Sequence, residues 1–251
     1  AQRSLDLQYY AIHADASTEV LLERIRDAAR RGVRVRILLD DFNTVGKDAQ
    51  VLRLAFEPNV EVRLFNPAPG SRRSLMARFF TSLHDIPRLQ KRMHNKLFVA
   101  DNAMGITGGR NLGDAYFGTN LKSNFVDLDV LAAGRIVRDM SASFDRYWND
   151  PLAYPAQSLL SPEDLDALRK PDWPAKPAGS GPQPATRPGV TVPRAKSTVL
   201  PGFTPTIAQQ PQPLDLPAMA LIWAPAALLE DKPGKVAPDD DEADAGDTLV
   251  D

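Results

Sequence analysis

Apolar and polar positions alternate from Leu5 to Ala11 (Leu5, Leu7, Tyr9, Ala11), the period-two signature of a strand with one buried face. Leu21, Ile25 and Ala28 then recur at helical spacing. Ser17 is placed to cap that helix, Glu19 sits in its positive first turn, and Gly32 ends it. Val33 to Leu39 returns to a strand, so this stretch predicts a β-α-β unit, whose crossover imposes parallel pairing. A helix from about Asp48 to Phe56 and a strand from Val60 to Phe65 repeat the unit, and Asn66-Pro-Ala-Pro-Gly70 interrupts it. Met93 to Ala100 and Ala103 to Thr107 predict two strands around a turn at Asp101-Asn102. Phe125 to Ala132 predicts another strand, and Ile136, Met140, Phe144 and Tyr147 mark a helix ending near Asn149. After Pro151 the periodicity fades to a weak helix over Pro162 to Arg169.

The pattern predicts an α/β fold: a mixed, largely parallel β-sheet with helices on both faces, followed by a Pro-rich, largely irregular tail. Composition draws the boundary. Of 22 prolines, 18 lie after residue 150. From Pro171 to Pro217 they alternate with Gly, Ala, Ser and Gln, a composition that cannot bury a core. Residues 1–155 are therefore expected to form the folded body and 156–217 a linker. Residues 218–251 hold a short apolar segment around Trp223 and an acidic tail, Asp239-Asp-Asp-Glu-Ala-Asp244. Charge divides the same way. Residues 1–150 carry 22 basic and 18 acidic groups, net +4, against 8 and 14, net −6, in the remainder.

Several classes are excluded or disfavoured. With no cysteine there are no disulfides or thiolate metal sites, and three histidines without His-x-x-His or Glu-x-x-His spacing argue against zinc. No metal or cofactor is expected. No run approaches the ~20 apolar residues needed to span a bilayer. The chain opens on Ala1 and enters a strand at once, which suggests a piece of a longer protein.

Residues 71–92 hold Arg72, Arg73, Arg78, Arg88, Lys91 and Arg92 among Leu75, Met76, Phe79, Phe80 and Leu83, with Asp85 the only acid. This is either a helical cover with a solvated basic face or a surface for anionic lipid headgroups or polyanions.

The chemistry concentrates in residues 92–111. His94, Lys96 and Asp101 stand in the spacing His-x-Lys-x4-Asp, and Gly108-Gly109-x-Asn111 follows. On a strand, residues two apart share a face, so His94 and Lys96 project together. An imidazole beside an ammonium suits a phosphoryl group: Lys96 neutralises the non-bridging oxygens while His94 approaches in line. Asn111 adds amide donors, and Gly108 and Gly109 permit close backbone approach. Attack by histidine gives a phosphohistidine and splits one displacement into two easier ones. The attacking nitrogen must be unprotonated, so the other needs an acceptor to fix the tautomer. Asp127 is the candidate carboxylate. Asp101, at a strand end, is better placed to tie the turn together. His13 and His84 have no comparable company and read as surface or capping residues.

This string resembles the signature of the phospholipase D superfamily. Leu5-Asp-Leu-Gln-Tyr-Tyr10, Arg34-Val-Arg-Ile-Leu-Leu-Asp-Asp41, Arg63-Leu-Phe-Asn-Pro67, Gly108-Gly-Arg-Asn-Leu-Gly-Asp-Ala-Tyr-Phe117, Asp127-Leu-Asp-Val130 and Tyr147-Trp-Asn149 are similar to its bacterial cardiolipin synthase-like branch. A weaker echo falls at Leu221-Ile-Trp-Ala-Pro225, and Phe42 departs from the pattern, where a polar residue is expected. The resemblance implies a metal-independent phosphodiesterase or phosphatidyltransferase acting on phospholipids at a membrane surface, peripherally attached in a bacterium. It also implies two copies of the motif meeting at one site, with His94, Lys96, Asp101 and Asp127 supplying one half. No histidine follows His94, so the second half is expected from a longer parent chain or from a partner chain. Two other readings stay open: a homodimeric single-motif nuclease of the same superfamily, and an inactive lipid-binding module. A net charge of only +4 and the lack of an aromatic-basic stacking platform argue against nucleic acid.

Overall fold

The computed structural model describes residues 1–41, 49–67, 91–118, 124–169 and 215–233. The chain forms two compact units, residues 1–175 with 224–251, and residues 176–223. The basic segment at 71–90, residues 42–48 with the departing Phe42, the linker from Pro171 to Leu214 and the acidic tail lie outside the described residues.

In the first unit β1 (Ser4–Tyr9), β2 (Arg34–Asp40) and β3 (Val60–Phe65) are joined by α1 (Ala16–Arg30) and by a stretch containing α2 (Ala49–Leu54). Each crossover returns the chain in the same direction, so β1 pairs β2 and β2 pairs β3 in parallel, with Tyr9 opposite Leu39 and Leu39 opposite Leu64. β4 (Leu97–Ala100) then lies antiparallel to β1, with Gln8 opposite Leu97. β5 (Met104–Gly108), β6 (Asp129–Ala133) and β7 (Ala153–Pro155) are antiparallel to β4, β5 and β3 respectively. The sheet order is β6-β5-β4-β1-β2-β3-β7. The mixed α/β sheet is as expected, but its parallel part is confined to β1–β3 and four of the six pairings are antiparallel. Hairpins, not helical crossovers, build the β4–β6 side.

Helices cover both faces. Leu22, Ile25 and Ala28 of α1 and Val51, Leu52 and Leu54 of α2 pack on Leu5, Leu7, Val35, Ile37, Leu39, Val62 and Leu64. On the other face α3 (Ile136–Trp148) lays Val137, Met140, Phe144, Tyr147 and Trp148 on Leu38, Phe65, Leu97 and Val99. The body continues past residue 155: α4 (Pro162–Arg169) places Leu168 in the first of these cores and Arg169 over the Phe56 ring. Leu228 packs against the second core. Of the second unit, residues 215–223 are described and hold one 3-10 turn, Leu216–Ala218. Among the described residues no helix is long and apolar enough to cross a membrane.

Local details depart from the pattern for identifiable reasons. Asp15, not Ser17, caps α1, its carboxylate accepting from Thr18 N; the Ser17 N–H donates to Asp114 instead. Gly32 ends the helix at φ +90°, a conformation that favours glycine. The β4–β5 turn places Asp101 and Asn102 at φ +56° and +53°, where Asp and Asn are among the tolerated residues. β4 begins at Leu97 rather than Met93 because the paired residues of β1 and β5 run out at Gln8 and Thr107, leaving residues 93–96 beyond the ladder.

Candidate active site

One end of the sheet collects the C-terminal ends of β1, β2, β3 and β5 with the N-terminal ends of β4 and β6. Ligand sites of open α/β sheets favour the carboxyl edge of the strands. The end of β2 contributes Asp40, fully buried, whose carboxylate accepts from Met93 N at 3.0 Å and from Arg92 Nη1 at 3.2 Å. The end of β3 contributes Asn66, whose Nδ2 donates to Lys91 O at 2.7 Å. Residues 91–93 are thus clamped from beneath, and His94 and Lys96 project from a fixed entry into β4.

The Lys96 ammonium donates to His94 O at 2.6 Å and lies 3.0 and 3.2 Å from the two ring nitrogens of His94. Tyr10, one residue past β1, packs its ring against His94 with centroids 4.6 Å apart and the planes tilted by 52°, and its ring centroid is 5.5 Å from Lys96 Nζ. His94 is exposed, whereas Lys96 is 6% exposed. Burial pushes the Lys96 ammonium down to about 8, against the opposing pull of the Asp127 carboxylate.

The Gly-Gly-x-Asn turn completes this edge. A Cβ on Gly108 would fall 2.3 Å from Leu128 O, and one on Gly109 would fall 2.2 Å from Asp127 Oδ1. The two glycines are needed because residues 127–129 cross directly over them, a constraint set by the protein's own chain rather than by a phosphate. Gly108→Ala is expected to cost about 2–3 kcal/mol, since the obstacle is backbone. Gly109→Ala is expected to cost about 1 kcal/mol, because the Asp127 side chain can swing away. Urea unfolding of the two variants tests that order.

Asn111, 6% exposed, spans two neighbours: its Oδ1 accepts from Ala11 N at 3.1 Å and its Nδ2 donates to Tyr116 Oη at 3.2 Å. Among the described residues these two bonds pin the turn to the end of β1 and leave one Nδ2 hydrogen for a ligand. Arg110 pairs with Asp129 at 2.9 Å.

Two cavities meet at Lys96. One, about 240 Å³, is mainly apolar and includes Tyr9, Leu21, Phe98, Ile106 and Phe117. The other, about 260 Å³, lies on the α3 side and includes His94, Asn95, Thr107 and Ser143.

The structure brings together His94, Lys96, Asp127, Gly108, Gly109 and Asn111. It places Asp101 at the far end of β4, where its carboxylate accepts from the N–H groups of Gln2, Arg3 and Ser4 at 2.7–3.0 Å. These bonds hold that carboxyl below its ordinary range despite the cost of burial. Asp101 therefore ties the start of β1 to the hairpin. His13 packs against Gly113 and Tyr116. Tyr10 and Asn66 were not singled out by the sequence pattern as site residues, whereas Asp40 opens a polar turn, Asp40 to Thr44, at the strand end where open α/β sheets place their sites. The signal available for them was position, each lying at or just past the C-terminal end of a strand.

The family model described as "Cardiolipin synthase, PLD-like domain" matches residues 1–148. The chain belongs to that family. Cardiolipin synthase C of Escherichia coli K12 is 43% identical over 175 residues, 70% of this chain and 36% of that protein. An uncharacterized protein of Helicobacter pylori (strain ATCC 700392 / 26695) is 43% identical over 165 residues, 66% of this chain and 32% of that protein. The match spans about a third of the length of these curated relatives. Among solved structures, Nuc of Salmonella typhimurium, a phospholipase D family member, aligns with a TM-score of 0.39 and 15% identity, over 62% of this chain and 82% of that one. NucT from Helicobacter pylori aligns with a TM-score of 0.42 and 15% identity, over 62% and 83%.

Proposed function

We propose that this PLD-like domain is one half of a phospholipid phosphodiesterase or phosphatidyltransferase of the cardiolipin synthase type, working through a phosphohistidine on His94. The observation that carries the reading is the Lys96 ammonium held within 3.2 Å of both His94 ring nitrogens at the edge of two cavities. In the proposed first step the unprotonated His94 nitrogen attacks phosphorus. The new P–N bond forms as the P–O bond to the leaving alcohol breaks, and that oxygen takes a proton from a second histidine. In the second step the same histidine deprotonates an incoming alcohol or water, whose oxygen displaces His94.

Lys96 would neutralise the non-bridging oxygens. Asn111, through its free amide hydrogen, and the glycine turn would line the same oxygens. Asp127, whose charge already acts on Lys96, would balance and orient the pair. His94 is the last histidine of the 251 residues, so the second comes from outside this stretch, by a further part of a longer protein or by a second chain. Without a general acid the step is expected to run ~10²–10⁴ slower, and the 251 residues alone are expected to be nearly inert.

The test is intact-mass and peptide mass spectrometry after incubation with phosphatidylglycerol in mixed micelles, with the second histidine supplied. A phosphatidyl adduct on the His94 peptide, together with alcohol exchange, is expected. No adduct and no turnover would overturn the reading.

Lys96 gives this chemistry an alkaline limit. Its ammonium, lowered to about 8, is charged below that pH and loses its proton as pH rises through it. Adduct formation should fall above about pH 8, while Lys96→Arg, slower at neutral pH, should show no fall there because guanidinium stays charged. Between about 8 and 10.5 the unfolded chain retains a proton that the folded chain has shed, so this group makes stability rise with pH across that window.

A further inference from the structure

Tyr10 touches both members of the His-Lys pair. Its ring centroid lies 4.6 Å from that of His94, and the Lys96 ammonium sits over the same ring, 5.5 Å from its centroid. Both distances fall inside the ~6 Å reach of a cation–π contact. Tyr10 is half-buried, and the chain just after it is fixed by the glycine-rich turn. Ala11 N donates to Asn111 Oδ1 at 3.1 Å, Leu112 N donates to Ala11 O at 3.3 Å, and Ile12 forms a parallel bridge with Leu112. The turn that completes the motif therefore holds Tyr10 in place as well. Residues 93–96 lie beyond the ladder that β4 makes with β1 and β5, so strand pairing does not fix His94 and Lys96.

The proposed chemistry sets these two groups an electrostatic problem. The ammonium stands 3.0 and 3.2 Å from the His94 ring nitrogens. In the first step the neutral imidazole gives a lone pair to phosphorus. The P–O bond breaks, the leaving alcohol takes its proton from the second histidine, and His94 keeps the hydrogen on its other nitrogen. Its ring thus passes from neutral to cationic. Positive charge grows beside a standing positive charge, at a place where burial already works against the ammonium. The face of an aromatic ring is negative, and Tyr10 is a neighbour that both charges share. A leucine would fill much of the same space but present no such face.

We infer that Tyr10 is a positioning residue, whose ring seats the Lys96 ammonium and steadies the positive charge that develops on His94. The inference rests on the phosphohistidine reading for its effect on rate. Its effect on the resting charge of His94 needs only the contact. The phenol hydroxyl takes no part, so phenylalanine serves as well as tyrosine.

Two measurements test it. The first is NMR titration of the His94 ring in the 251-residue protein, its signals assigned by their loss in His94→Ala. Tyr10→Phe is expected to keep the wild-type midpoint, whereas in Tyr10→Leu the ring should hold its proton about threefold less tightly. Lys96 and Asp127 are present in every variant, so the difference reports the aromatic ring. The second follows adduct formation in the assembled enzyme with phenylalanine at position 10 carrying zero, one, two or three ring fluorines. Each fluorine draws charge from the ring face with little change in size, and the rate is expected to fall about twofold per fluorine. Tyr10→Leu should lie about tenfold below Tyr10→Phe. An unshifted midpoint in Tyr10→Leu, or a flat fluorine series, overturns the inference and leaves the phosphodiesterase reading standing. Tyr10→Phe as slow as Tyr10→Leu also overturns it, since the hydroxyl would then carry the effect. If the wild type forms no adduct, the phosphohistidine reading falls, and the titration still decides whether Tyr10 steadies a charged His94.

Discussion

His94→Ala is expected to abolish the phosphatidyl adduct and to lower alcohol exchange by about 10⁴–10⁶ in the assembled enzyme, the range seen when a covalent nucleophile is removed and binding remains. The size follows from what the side chain does and does not do. His94 is exposed, and its ring meets Tyr10 at 4.6 Å between centroids and the Lys96 ammonium at 3.0–3.2 Å, so truncation should cost about 1 kcal/mol. A loss of many orders of magnitude with so small a shift of the unfolding midpoint would therefore report chemistry. Lys96→Met is the informative comparison. It keeps much of the buried stem and removes the charge, and it should slow adduct formation by ~10²–10³ without eliminating it. If His94→Ala retained the adduct at another residue, or if Lys96→Met cost more than His94→Ala, the assignment of nucleophile and clamp would fail.

The parts of this site that could be read from the sequence are those fixed by local rules. Period-two and helical spacing located β1, β3, α1 and α3 within a few residues, and the bounds of β3 and α4 were matched. The His-x-Lys pair was legible because strand geometry places alternate residues on one face wherever the chain is extended, whether or not a ladder continues there. What could not be read depends on tertiary pairing. Nothing local distinguishes β4 running against β1 from β4 running with it, so the parallel β1–β3 pattern suggested more parallel sheet than exists. The role of Asp40 depends on residues 92–93 returning to the end of β2 after a long excursion. Gly108 and Gly109 read in sequence as positions where a phosphate could come close to the backbone; the chain that lies over them is 127–129, a partner that only the β5–β6 register identifies. Asp101 shows the converse: its spacing belongs to the motif, yet its three backbone bonds go to residues 2–4, at the opposite end of the strand from His94. The segment at 228–231 was legible only as the end of an apolar island long enough for one docked element; where it docks was not, since its contacts with Arg146 and Tyr147 span more than eighty residues of sequence.

The buried charge beneath α3 should dominate the stability of the half-domain. Asp6, on β1, faces Arg36, on β2, in a two-point fork, Nε to Oδ1 at 2.7 Å and Nη2 to Oδ2 at 2.9 Å. The third nitrogen, Nη1, reaches Asp145 on α3 at 2.8 Å, and the guanidinium carbon lies 4.7 Å from the Phe144 ring centroid and 5.4 Å from that of Trp148. Burial opposes the charge, but the two carboxylates outweigh it and push Arg36 above its ordinary value, so it is charged at every working pH. Asp6→Ala removes the better-buried partner and leaves a desolvated cation with only the half-exposed Asp145. Breaking a buried pair from one side costs about 3–5 kcal/mol, which is a large share of the 5–15 kcal/mol that holds a domain of this size together. The expected result in urea is a midpoint lowered accordingly, with an unchanged slope. Replacing both partners with apolar residues of similar volume, Asp6→Leu with Arg36→Met, should recover most of the loss, because the penalty lies in the orphaned charge more than in the missing attraction. A double variant as unstable as Asp6→Ala would mean that the fork itself, and its grip on α3, supplies the stability. In that case α3, with its Tyr147 hydroxyl bonded to Asp231 O, should loosen with it.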